Sequence, residues 1–372
     1  MREALCPYFG KCGGCSSQHI EYETQLEGKK KQLADAINYE DIQVYSDNEF
    51  HYRNRMDLIF HRNGVGFRKK GDWKSFVNIE KCVIANDKLN DLLKEVRDYF
   101  KNVDSFDIKK QRGTFKYAVI RTPTLTSSVS FVLNEDSSKL GECVDIIKEY
   151  AKVSSADNVS VTYVPRKTDI STSEEYFMVK GEENLKESIM GKEFHYNVQG
   201  FFQNNSVMAE KMHEYVNNLV KSYDTSNMKL LDLYGGVGTF GIINASMFNS
   251  VLTVESFQGC TDSANENIKL NDTPRVQAIC KDAKQLYMLE LKNPLFVITD
   301  PPRCGMHPKT IKELNNIKPK TIIYVSCNVK QLAKEIGKFE GYTIKSAAVF
   351  DLFPQTNHME IVLELVMLSS FT

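Results

Sequence analysis

The apolar positions of this chain change rhythm along its length. Across residues 22–37, Leu26, Leu33 and Ile37 recur at helical spacing around three lysines, Lys29 to Lys31, and predict a helix. Residues 50–84 alternate instead. Met56, Leu58 and Phe60, then Val65 and Phe67, are broken by Asn63-Gly64 and Lys70-Gly71-Asp72, the pattern of strands joined by turns. Residues 86–100 read as a helix. Apolar runs at 117–121, 129–133 and 159–164 predict strands, and 141–151 a further helix, so the middle of the chain reads as α+β. From about residue 197 the style shifts. Strands at 229–234, 250–255, 275–279, 295–300 and 321–326 alternate with helices beginning near Thr239, Thr261, Pro308 and Val329. Such alternation predicts an α/β, Rossmann-like, doubly wound parallel sheet. Two strands without an intervening helix, 342–350 and 359–367, then predict an antiparallel pair at one edge of that sheet.

Composition bounds the class. The chain has 372 residues, 42% hydrophobic and 26% charged, which suits two or three globular domains. It has no apolar run of about 18 residues, the length that predicts a transmembrane helix. Its first residues lack the apolar stretch of a signal peptide, so a cytoplasmic protein is expected. A reducing compartment makes clustered cysteines metal-binding or catalytic before it makes them disulfides, and nine is an odd number. A net charge of −1 gives no general support to nucleic-acid binding. Locally the picture differs. Residues 51–74 carry seven basic side chains against Asp57 and Asp72, interleaved with Tyr52, Phe60, Phe67 and Trp73. That mixture suits phosphate contact with base stacking, and equally a solvated strand face.

Open α/β sheets bind ligands where their strands end. The first strand of the C-terminal region runs into Tyr234-Gly235-Gly236-Val237-Gly238-Thr239-Phe240. Its Gly-Gly-x-Gly spacing lets the backbone turn tightly beside a ligand but is not the dinucleotide Gly-x-Gly-x-x-Gly. The second strand ends in Glu255, twenty residues after Gly235, where an acid can accept hydrogen bonds from ribose hydroxyls. Asp282 follows the third. The set suits S-adenosylmethionine, with NAD as the second choice.

The next strands end in Asp300-Pro301-Pro302-Arg303-Cys304-Gly305 and Ser326-Cys327-Asn328, and His358-Met359-Glu360 follows later. A cysteine at a strand end beside a helix N-terminus can serve as a nucleophile. C5 of uracil is itself a poor nucleophile. A thiolate added to C6 turns it into an enolate, and a base must afterwards take the C5 proton. Cys327 suits the first task and Glu360 the second. A buried structural cysteine and a surface acid would produce the same letters. Cys304 is the rival nucleophile, as in cytosine-C5 methyltransferases, although there the cysteine adjoins the proline that Arg303 separates from it here.

Taken in order, these motifs resemble the RNA uracil-C5 methyltransferases that act on tRNA and ribosomal RNA. The resemblance spans nearly the whole chain. It rests on Cys6-x5-Cys12-Gly13-Gly14-Cys15, Phe201-Phe202-Gln203-x-Asn205, Tyr234-Gly235-x-x-Gly238-x-Phe240, Asp300-Pro301-Pro302-Arg303-x-Gly305 and Ser326-Cys327-Asn328. A closing Phe353-Pro354-Gln355-Thr356-x-His358-x-Glu360 completes it. It implies a class I methyltransferase domain over 196–372, an α+β central domain over 86–195, and a cysteine-cluster and RNA-contacting segment over 1–85. It also implies that Gln203, Tyr234, Thr239, Glu255 and Asp300 line the cofactor site, with Cys327 as nucleophile and Glu360 as proton acceptor. The family follows its nucleophile with Asn-Pro-x-Thr. Here Asn328-Val329-Lys330-Gln331 stands, which predicts a looser helix entry.

Cys6, Cys12, Cys15 and Cys82 form the metal candidate. Four thiolates suit a four-iron, four-sulfur (4Fe–4S) cluster or, as the second choice, structural zinc; the resemblance favours the cluster. The x5 spacing differs from the Cys-x3-Cys-x2-Cys of radical enzymes, so a structural or RNA-positioning role is expected. Many relatives carry a small RNA-binding β-barrel before the cluster, and this chain is expected to lack it. The expected partner is RNA, either 23S rRNA or tRNA, bound by a monomer. Two alternatives stay open: an RNA cytosine-C5 methyltransferase, and a non-enzymatic metal-containing RNA-binding protein.

Overall fold

A computed structural model of the chain describes residues 2–368. The first elements are α1 (Tyr22–Ile37), β1 (Ile42–Tyr45), β2 (Arg55–His61), β3 (Gly64–Lys69), β4 (Asp72–Asn78) and α2 (Asp87–Tyr99). There follow β5 (Phe115–Arg121), β6 (Ser128–Asn134), α3 (Leu140–Val153), β7 (Asn158–Val164), β8 (Tyr176–Lys180), β9 (Asn184–Ile189) and β10 (Lys192–Asn197). The C-terminal half holds α4 (Ser206–Lys221), β11 (Lys229–Leu233), α5 (Thr239–Asn244), β12 (Ser250–Glu255), α6 (Gln258–Leu270), β13 (Val276–Cys280) and β14 (Leu295–Thr299). It ends with α7 (Pro308–Ile317), β15 (Thr321–Ser326), α8 (Val329–Ile336), β16 (Tyr342–Phe350) and β17 (Glu360–Met367). None of the described helices is long and apolar enough to cross a membrane.

Eight strands form the C-terminal sheet in the order β1-β16-β17-β15-β14-β11-β12-β13. From β11 the chain winds outward through β12 and β13, then returns to β14 and β15 on the other side, all five parallel. This reversal opens a crevice at the carboxyl ends of β11 and β14. Strands β14 and β15 are buried at every position, as expected where helices cover both faces. β17 runs antiparallel to both β15 and β16, so the expected antiparallel pair is present. It does not form the edge, however. β1, from the opposite end of the chain, adds outside β16 in parallel, Ile42 pairing with Ala347 and Tyr45 with Phe350. So short an apolar run does not signal a strand, and its pairing is non-local.

Seven strands form the central sheet in the order β4-β3-β2-β5-β6-β7-β8, antiparallel except for β6 with β7. α2 and α3 pack on it through Leu89, Leu92, Val96, Ile147 and Tyr150. Asn86 caps α2 by accepting from the Leu89 amide at 2.8 Å. The N-terminal segment that precedes α2 is shared between the sheets: β1 joins the C-terminal one, and β2, β3 and β4 join the central one. α1 is held to the C-terminal sheet by a buried pair, with Lys29 Nζ 2.5 Å from Asp351 Oδ1. The β9–β10 hairpin touches both neighbours. Asn267 of α6 holds His195 through both backbone groups, and the Lys186 amide donates to Thr126 Oγ1.

Candidate active site

The backbone that leaves β11 is shaped by glycine. A Cβ on Gly235 would lie 2.3 Å from Thr253 Cγ2 and 2.9 Å from Asp232 Oδ2. Beneath the turn, the buried Asp232 carboxyl accepts from the Gly241 amide at 3.0 Å and from Thr253 Oγ1 at 3.2 Å. Burial pushes this carboxyl up to about 7. At the end of β12, Glu255 is fixed by three backbone amides: Gly236 at 3.1 Å on one oxygen, Ser256 at 2.7 Å and Phe257 at 2.9 Å on the other.

Cys327 and Glu360 are distant in sequence and meet because of strand register. Ser326 pairs with Ile361, and one further step of that antiparallel ladder sets Cys327 opposite Glu360. Asp300, at the end of β14, lies next to the end of β11, its amide donating to Leu233 O at 3.2 Å. The loop after it is tied to the loop after β15 by Asn328 Nδ2, which donates to Arg303 O at 2.9 Å. Asn328 also caps α8, accepting from the Gln331 amide at 3.3 Å. Gln331 in turn donates to buried Glu335 at 2.6 Å, and Glu335 accepts from Tyr324 Oη and the Met306 amide. The helix entry expected to be loose is therefore held by a network of this chain's own.

All of these strand ends open on one cavity of about 450 Å³. Gln203, Tyr234, Thr239, Glu255, Asp300, Cys327 and Glu360 all line it. Tyr234 contributes at a strained position, with φ of 58°, while its half-buried ring packs against the core on one side of the sheet. Two residues weighed in the sequence do not line this cavity. Asp282 is absent from the lining; its carboxylate caps the next turn and pairs with Lys284 at 2.8 Å. Cys304 is exposed and is also absent from the lining, which weakens it as a rival to Cys327. The sequence reading had missed Met212 and His213, which line the cavity from α4. The Asn205 cap and the spacing of Met208, Met212, Val216 and Val220 were the signal for that helix.

The electrostatics of the cavity are those of buried acids. Burial pushes Glu360 well above the ordinary carboxylate range and Asp300 up to about 7. Burial, then the charges of Glu360 and Asp300, push the Cys327 thiol up to about 11, while Arg303 pulls it down. A group carrying positive charge would relieve all three.

Cys6, Cys12, Cys15 and Cys82 line a second cavity of about 510 Å³, beside Arg53, Phe353 and His358. Their loop is fastened to β3 through Gly13 N to Arg68 O at 3.1 Å, and to the segment before Glu360 through Ser16 N to Gln355 O at 2.9 Å. Burial raises the Cys82 thiol to about 12. Among the described residues, no three His, Cys, Asp or Glu side chains are drawn together closely enough to hold a single ion.

The sheet order and the pocket at its switch point define a class I methyltransferase fold. The family model described as tRNA (uracil-5-)-methyltransferase matches residues 21–367. The chain is 34% identical over 367 residues to the tRNA (uracil(54)-C(5))-methyltransferase of Pyrococcus furiosus, covering 96% of this chain and 84% of that one. An uncharacterised RNA methyltransferase of Caldanaerobacter subterraneus is 30% identical, covering 97% and 84%. The crystal structure of the Pyrococcus abyssi tRNA (uracil-54, C5)-methyltransferase in complex with S-adenosyl-L-homocysteine superposes with a TM-score of 0.81. It is 29% identical, covering 95% of this chain and 86% of that one. The chain belongs to the tRNA (uracil-5-)-methyltransferase family.

Proposed function

We propose that this protein methylates C5 of a uridine in tRNA from S-adenosylmethionine, through a covalent bond between Cys327 and C6 of the base. The observation that carries this reading is the shared cavity: Cys327 and Glu360 face the same space as Gln203, Glu255 and Asp300. The named relatives favour tRNA over 23S rRNA, and position 54 of it. S-adenosylmethionine, when bound, supplies an electrophilic methyl on a positively charged sulfur, and that charge favours the ionised forms of the acids around it.

The chain's own residues then divide the work. Glu255, its carboxylate oriented by backbone amides, accepts from a ribose. Cys327, once deprotonated, adds to C6 of the uracil. The C5–C6 electron pair moves into an enolate that ends on O4, and C5 then takes up the methyl as its bond to the sulfonium breaks, the electron pair staying on sulfur to leave neutral S-adenosylhomocysteine. Glu360 removes the remaining C5 proton, the C5–C6 double bond re-forms, and the Cys327 thiolate leaves. The target base has to leave its stack to enter so enclosed a site.

Cys6, Cys12, Cys15 and Cys82 are assigned to a 4Fe–4S cluster. The four thiols line one cavity, and four thiolates suit such a cluster or, as the second choice, structural zinc. When bound it would supply four fixed thiolate bonds that tie the N-terminal loop to β3 and to the segment before Glu360. The test is incubation of anaerobically purified protein with methyl-labelled S-adenosylmethionine and unmodified tRNA or 23S rRNA transcripts. Label in 5-methyluridine of tRNA alone supports the reading. Label in rRNA alone, or in 5-methylcytidine, overturns it.

A further inference from the structure

The basic, aromatic stretch seen in the sequence folds into the β2–β3–β4 end of the central sheet. Trp73, the single tryptophan of the chain, is 56% exposed there. Its ring is flanked by two cations, Lys74 Nζ at 5.0 Å and Arg68 Cζ at 5.7 Å from the ring centre. Arg68 is locked in place by both oxygens of Asp169 at 2.7 Å. That pair draws the segment 166–169 against the hairpin, and Trp73, Arg166 and Lys167 share one cavity of about 210 Å³ with Ile108 of the loop 107–112. Together the segments 62–74, 107–112 and 166–169 carry ten basic residues against three acidic ones. A chain of net charge −1 has gathered this excess in one place. Lys69, Lys70, Lys74, Lys109 and Lys167 have no carboxylate within 4.0 Å among the described residues.

We propose that this surface is a second RNA-docking site, in which an unpaired or terminal base stacks on Trp73 while the surrounding lysines neutralise the phosphates on either side of it. The proposal rests on the RNA-methyltransferase reading above. Charge complementarity selects a polyanion, and a large, exposed, cation-flanked ring selects one with flat faces. Position supports the same occupant. β3 is hydrogen-bonded to the cysteine loop through Gly13 N to Arg68 O at 3.1 Å, the turn after it through Lys70 N to Lys11 O at 2.8 Å, and that loop holds Gln355, five residues before Glu360. The hairpin is thereby tied to the segment that carries Glu360, and in the proposed complex one folded RNA engages both surfaces.

Because Trp73 is the only tryptophan, indole fluorescence reports this site alone. Titration of the full-length protein with a folded tRNA transcript is expected to quench emission saturably, with a midpoint that weakens steeply as salt rises. Trp73→Ala, and a separate Lys69→Glu, Lys74→Glu, Lys109→Glu variant, should raise KM for tRNA at least tenfold. Both should leave kcat and S-adenosylmethionine binding within twofold. Trp73→Phe should restore most of the loss. Unchanged emission at saturating tRNA, with KM unmoved in both variants while methylation proceeds, overturns the docking site. It would point the patch to an acidic protein instead. Quenching by tRNA without methyl transfer would leave the docking site standing and overturn the proposed reaction, so the two failures are distinguishable.

Discussion

Replacing Asp300 by asparagine sets stability against function at one atom. Burial pushes the carboxyl up to about 7, against about 3.9 for an unfolded chain. A carboxyl raised in the folded state stabilises the protein where it is protonated, and that contribution is lost as pH rises through the folded value. Fully realised, the gap corresponds to about 4 kcal/mol at pH 8. Asp300 is only partly covered, however, and it lines an open cavity. Solvation there halves the effect to roughly 2 kcal/mol. For a unit of this size that is about 4–8 °C in Tm. The assay is thermal unfolding of cofactor-free protein at pH 8 and at pH 4.5. Asp300→Asn should melt higher than wild type at pH 8, and the difference should shrink to almost nothing at pH 4.5. The same variant should bind S-adenosylmethionine at least tenfold more weakly. A variant that melts lower at pH 8, or a difference independent of pH, would refute the idea that the apo pocket is strained by buried charge.

Other consequences follow from the same geometry. Alkylation of Cys327 in the cofactor-free protein, followed by mass spectrometry of its peptide, should rise with pH toward a midpoint near 11. Glu360→Gln should lower that midpoint, since the Glu360 charge is one of its causes. Asn328→Ala removes both a helix cap and the bridge to Arg303. It should destabilise the protein by about 1 kcal/mol and lower kcat more than it raises KM, as separate unfolding and steady-state measurements would show. Lys29→Met strands the buried Asp351 and should cost about 3–5 kcal/mol in urea unfolding. Cys15→Ser should abolish bound iron and sulfide by chemical assay and lower Tm, with the loss of order in proteolysis confined to the N-terminal loop.

Much of this molecule was legible in its letters because its chemistry is local. The glycine turn, Glu255 and Asp300 each sit at the end of a strand whose apolar run announces it, and the doubly wound rule places all the ends together. The pairing of Cys327 with Glu360 needed register, and the register follows from two strands recognisable one by one. What was not legible depends on contacts between distant segments. β1 is very short and gains its place only from β16. Gln331 looked like a departure from a family motif, and only the buried Glu335 shows what it is for. Hydrogen bonding also divides the N-terminal segment between two sheets, which no composition change along the chain reveals.

The most direct test of the account is to replace the uridines of a tRNA transcript by 5-fluorouridine and incubate it with the protein and S-adenosylmethionine. Fluorine at C5 leaves no proton for Glu360 to remove, so the thioether to C6 cannot be released. The account predicts an equimolar protein–RNA complex that survives denaturation, maps to Cys327 by peptide mass, carries the transferred methyl and is absent in Cys327→Ala. An adduct at Cys304, or turnover of normal tRNA with no adduct from the fluorinated one, would contradict it.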